Sequence, residues 1–109
     1  MGEEAVRKII EKIISDIGNC RRDIEGKGNT RAKAIAMYDL RFGDAVETLK
    51  TEGKFPVTII RDLAKKLCHK DREALEIAEM EYKACISNLQ ALMAQLNGYQ
   101  SIYRYSDSV

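Results

Sequence analysis

Nine positions, Leu75, Ala78, Tyr82, Cys85, Leu89, Leu92, Leu96, Tyr99 and Tyr103, follow one another in an unbroken alternation of three- and four-residue steps. That period lays one apolar stripe along a helix, and it excludes a strand, whose side chains change face at every residue. A helix of this kind is stable only when its stripe is covered by another helix. Asn97-Gly98 falls inside the pattern, yet Tyr99 and Tyr103 keep the register, so the spacing predicts a helix carrying on to about residue 105.

The N-terminal part repeats the signal. Val6, Ile10, Ile13, Ile17, Cys20 and Ile24 share one stripe, which Ile9 and Ile14 widen towards a second neighbour. Gly26-Lys27-Gly28-Asn29 then places two glycines within three residues, which disfavours an uninterrupted helix. The pattern resumes at Ile35, Tyr38, Phe42, Ala45 and Leu49, with Thr30 as a candidate N-cap and Gly53 as the stop. One long helix kinked at the glycines is the alternative. Pro56 forces a turn, after which Thr58 is the candidate cap of a short helix carrying Ile59, Ile60, Leu63, Ala64 and Leu67. The expectation is an all-α fold, a helical hairpin or small helix bundle with coiled-coil-like heptad seams. It forms a single domain over residues 1–109, with helices at about 3–25, 31–52, 59–68 and 71–105, and an end that loosens from Ser106.

Size and composition set the class of protein. A chain of 109 residues buries a modest share of its surface, so self-association is expected. The seam residues Ile10, Ile13, Ile17, Leu89, Leu92, Leu96 and Tyr99 are the candidates for an oligomer interface. With 45% hydrophobic and 32% charged residues and a formal net charge of +1, the chain reads neither as disordered nor as membrane-spanning. A cytoplasmic location in a host cell is expected, because no signal-peptide pattern opens the sequence. Cys20, Cys68 and Cys85 lack the paired spacing of a disulfide framework or a zinc site, and His69 adds no second ligand pair. No catalytic motif, metal site or cofactor is expected, and the protein is not read as an enzyme.

Charge is distributed unevenly. Lys54, Arg61, Lys65, Lys66, Lys70 and Arg72 stand against Asp62 and Asp71 between Gly53 and Arg72, and Glu73, Glu76, Glu79 and Glu81 follow with no cation among them. Lys65, Lys66, Lys70 and Arg72 are therefore candidates for phosphate contacts, with a solvated charged face as the alternative. At the other end Tyr103 and Arg104 belong to an aromatic, arginine-bearing stretch of the kind that stacks on single-stranded bases. Packing along the seam is the alternative use of Tyr99 and Tyr103.

Two segments, Pro56-Val57-Thr58-Ile59-Ile60-Arg61-Asp62-Leu63-Ala64-Lys65 and Leu96-Asn97-Gly98-Tyr99-Gln100-Ser101-Ile102-Tyr103-Arg104-Tyr105, carry a resemblance to small helical proteins encoded by phages and prophages of Gram-positive bacteria. The likeness covers roughly Ala34 to Tyr105. The helical plan with an aromatic end is also similar to phage recombination mediators of the T4 type. That similarity implies an oligomeric accessory of phage DNA recombination or replication that binds single-stranded DNA. Small phage proteins of this kind also imply a second role, inhibition of a host defence system by protein-protein binding through an exposed helix face.

Overall fold

The computed structural model describes residues 2–107, so the last two residues of the end expected to loosen, Ser108 and Val109, lie outside the described residues. The chain is all-α, with no strand among the described residues. Helix α1 spans Glu3–Glu52, α2 spans Val57–Leu67 and α3 spans His69–Asp107. The heptad spacing thus finds its helices, and α3 passes through Asn97-Gly98 as the continuing seam requires.

The expected interruption at Gly26 to Asn29 does not occur: α1 is one helix of 50 residues. The reason lies in the stripe itself. Beyond Ile24 the buried or half-buried positions include Gly28, Arg31, Ile35, Tyr38, Phe42, Ala45 and Leu49 at steps of three and four, so the face crosses the glycines in register. Each glycine costs about 1 kcal/mol of helix propensity, and packing on both sides outweighs that. Glu3 and Glu4 stand in the first turn and Lys50 in the last, each matched to the helix dipole.

Gly53 ends α1 with φ of 67°, the left-handed conformation of a helix C′ residue. Replacing it by alanine is expected to cost about 1–2 kcal/mol, read as a lowered urea midpoint, because a Cβ crowds the neighbouring carbonyl at positive φ. Pro56, not Thr58, occupies the N-cap of α2, with φ −59° and ψ 145° and no side-chain cap. The Pro56 carbonyl accepts the Ile59 N–H at 3.1 Å, which starts the helix at Val57 and places Thr58 inside it. At the other end the Cys68 N–H donates to Ala64 O and the Arg72 N–H to Cys68 O, both at 3.0 Å, so helical hydrogen bonding runs through the α2–α3 junction.

The chain that reads as one domain divides into two compact units, one from Met1–Gly26 with Lys83–Val109 and the other from Lys27–Tyr82. In the first, the start of α1 pairs antiparallel with the end of α3. Val6, Ile13, Ile17 and Cys20 are buried there, and the Cys20 thiol donates to Cys85 O at 3.5 Å and accepts from Asn88 Nδ2 at 3.7 Å. In the second, Lys27 pairs with Glu81, Arg31 with Glu79 and Arg41 with Asp71, a sequence of partners that runs in opposite directions along α1 and α3. Its core is Leu49, Ile60 and Ala64, flanked by Phe42, Ala45, Val46 and Leu63.

The seven seam residues expected at an oligomer interface all lie in the first unit. Ile13 and Ile17 are buried and Ile10, Leu89, Leu92, Leu96 and Tyr99 are half-buried within the single chain. The start of α1 and the end of α3 thus cover part of each other's stripes within one chain, and five of the seven positions keep some exposed surface.

Candidate nucleic-acid interface

The short helix α2 is amphipathic, and turning Ile60 and Ala64 into the core leaves Lys65 and Lys66 on the solvent side. Both stand in its last turn, where positive charge complements the helix dipole. Lys70 follows in the first turn of α3 and is exposed. His69 donates from Nδ1 to the Lys66 carbonyl at 3.2 Å, which ties the first residue of α3 to the last turn of α2.

Arg72 does not belong with these three lysines. Its Nε donates to Glu76 at 3.2 Å, and its guanidinium lies over the Tyr38 ring at 5.7 Å from the centroid. Arg61 is likewise placed over Phe42 at 5.8 Å. A groove of about 460 Å³ lined by Tyr38, Lys65, His69, Arg72, Glu73 and Glu76 opens beside the junction. Its two carboxylates make it mixed in charge, and Lys65 lines it, while Lys66 and Lys70 are exposed outside it.

The acidic block next to the basic pole is spent inside the unit except for Glu73. Glu76 takes Arg72, Glu79 lies 3.9 Å from Arg31, and Glu81 accepts from Lys27 at 3.1 Å. Asp71, with a side chain 17% exposed, takes Arg41 at 3.0 Å. Among the described residues no carboxylate pairs with Lys65, Lys66 or Lys70. The charge count along the sequence shows two opposed blocks; the fold cancels most of one and leaves the other open. The part of this that sequence reading misses is the role of Lys27 and Arg31, whose signal is their register opposite Glu81 and Glu79 once the helices run antiparallel.

Tyr103 and Arg104 belong to the other unit, so the structure does not gather the six candidate residues into one cluster. Tyr103 is half-buried in a groove of about 420 Å³ that Arg7, Ile10, Gln100 and Arg104 share, while Arg104 is exposed. Arg7 beside it is held above its ordinary pKa, first by its hydrogen bond to Glu4 at 2.8 Å and then by the charges of Glu4 and Glu11. Tyr103 is thus half-buried at the position where the seam of α3 places it.

The three cysteines are free, Cys20 and Cys68 buried and Cys85 half-buried. Among the described residues no three histidine, cysteine or carboxylate side chains converge on a point that could hold a metal ion, and no helix is long and apolar enough to cross a membrane. Comparison with protein-family models, with curated proteins and with solved structures finds no match to this chain.

Proposed function

We propose that this chain is a non-enzymatic binding protein that engages single-stranded DNA through the phosphates, using Lys65, Lys66 and Lys70, as an accessory of phage DNA recombination or replication. The observation that carries the reading is the unequal fate of the two charge blocks: Glu76, Glu79 and Glu81 are paired within the fold, Glu73 alone of that block is not, and the three lysines are exposed and make no ion pair among the described residues. Exposed ammonium groups without carboxylate partners release phosphate counterions on binding, and the affinity then falls with salt. Arg72 and Tyr103, engaged within the chain, drop out of the contact set, and so does Arg104, which belongs to the other unit.

Fluorescence anisotropy with a labelled single-stranded oligonucleotide across a salt series tests this. Wild-type protein is expected to bind at low salt, and Lys65, Lys66 and Lys70 changed together to Glu should abolish binding while the helical signal stays unchanged, since all three are exposed. Each lost phosphate contact flattens the slope of log affinity against log salt by about 0.7. Absence of wild-type binding at low salt, or equal binding by the triple variant, overturns the reading.

A second reading, inhibition of a host defence protein, draws on a different observation. Large apolar side chains stand out from the surface, among them Val57, Met80 and Leu40. Apolar anchors at helical spacing are what a protein partner's groove receives.

A further inference from the structure

The α2–α3 segment of the second unit carries two apolar rows where its single neighbour covers one. The inner row, Ile60, Ala64, Cys68, Leu75 and Ala78, is buried. Beside it Ile59, Leu63, Leu67, Lys70, Ala74 and Ile77 recur at steps of four and three, apolar except for Lys70, and the hydrogen bonds of the Cys68 N–H to Ala64 O and of the Arg72 N–H to Cys68 O span the junction between the two helices. Leu63 touches the core, but Ile59, Leu67 and Ile77 are 40%, 67% and 50% exposed. Three apolar positions per heptad belong to a helix with two neighbours, as in a bundle.

The surface area agrees. The chain exposes 8051 Å², whereas a folded monomer of 12.3 kDa exposes about 6,100 Å². The excess, roughly 1,900 Å², is spread over the whole chain and leaves room for the roughly 800 Å² that one partner contributes to a stable interface.

Charge on the edge of this row identifies the occupant. Lys66 and Glu73 stand seven residues apart, one heptad, on the same outer edge; they are opposite in sign, and neither has an ion-pair partner among the described residues. A surface of this kind is complementary to itself in the antiparallel sense. We infer that the row Ile59, Leu63, Leu67, Ala74 and Ile77 binds the same row of a second copy of this chain, with the two-fold axis between His69 and Lys70. That axis sets Lys66 against the partner's Glu73 and Glu73 against the partner's Lys66, and it brings Ile59 to the end of the partner's row that carries its Ile77 and Met80. The contact is isologous and closes at two copies. Opposed charges at such flanking positions select partner and orientation in helix assemblies.

The inference goes beyond the DNA reading and does not rest on it, although both use Lys66, so the test is run on the full chain with no nucleic acid. Sedimentation equilibrium at micromolar concentration is expected to give twice the chain mass for wild type. Lys66→Glu and Glu73→Lys should each raise the dimer dissociation constant at least tenfold, since each reversal makes both symmetric pairs repulsive. The double variant K66E/E73K, and an equimolar mixture of the two single variants, should recover the dimer. Leu67→Ser should give the monomer mass with unchanged helical circular dichroism, because that side chain is exposed in the single chain. Monomeric wild type, an unaltered dimer in L67S, or single variants that dissociate without recovery in the mixture would each overturn the proposal. Loss of the dimer in L67S with retained oligonucleotide binding separates this surface from the DNA reading.

Discussion

Replacing Ile60 by Asp is expected to remove about 4 kcal/mol or more of stability and, with it, the docking of α2. Ile60 is 3% exposed and packs with Leu49 and Ala64 at the centre of the second unit's core. Full burial of an isoleucine side chain is worth about 1.5–3 kcal/mol. The carboxylate that replaces it finds no buried cation: Arg61 lies over Phe42 and Lys65 and Lys66 face solvent, so an unpaired charge or a forced protonation is added to the lost transfer energy. Ile60→Val, which removes one methylene, should cost only about 0.5–1.5 kcal/mol. Urea denaturation followed by circular dichroism reads both. Equal midpoints for the two variants would mean that α2 does not bury Ile60 against Leu49.

The fold is legible where burial and period agree. Leu75 to Tyr103 holds its alternation without exception, and every one of those nine positions is buried or half-buried. The misreading at Gly26 to Asn29 has a definite origin. Local propensity argues for a break there, and what carries continuity is a face rather than a residue: Ile24, Gly28, Arg31 and Ile35 share a stripe on which only two members are apolar. Arg31 is invisible as a seam residue until its guanidinium is placed over the Tyr82 ring at 5.5 Å. Thr58 fails as a cap for a related reason, since Pro56, whose ring fixes φ, already starts the helix two residues earlier.

The candidate surface was legible as a count and not as an arrangement. Lys65, Lys66 and Lys70 can be read off the chain as basic, but whether a lysine is open or spent depends on what stands across from it. Arg72 shows the difference: it carries the same sign as its neighbours, and Glu76 and Tyr38 occupy it. The outer apolar row of Ile59, Leu67 and Ile77 lay beside a stronger seam with nearly the same period, and only exposure tells the two apart.

Four glycines inside the helices give the opposite expectation to Ile60, a large gain. At Gly18, Gly26, Gly43 and Gly98 an added Cβ meets no heavy atom within 4 Å, and none of the four has a positive φ. Alanine there adds no clash and removes freedom from the unfolded chain, worth about 0.5–1 kcal/mol at each site. The nearest two are eight residues apart, roughly 12 Å along a helix, so their effects should add to roughly 2–4 kcal/mol. In a domain of this size that raises the melting temperature by on the order of 10 °C or more. Gly28 is left out of the set because its added Cβ comes to 3.4 Å from Tyr82 Cε2, where the ring takes part in the packing. Gly26→Ala alone is the sharpest arm. A continuous α1 gains stability from it, whereas a chain that breaks at Gly26 to Asn29 needs the glycine and melts lower without it.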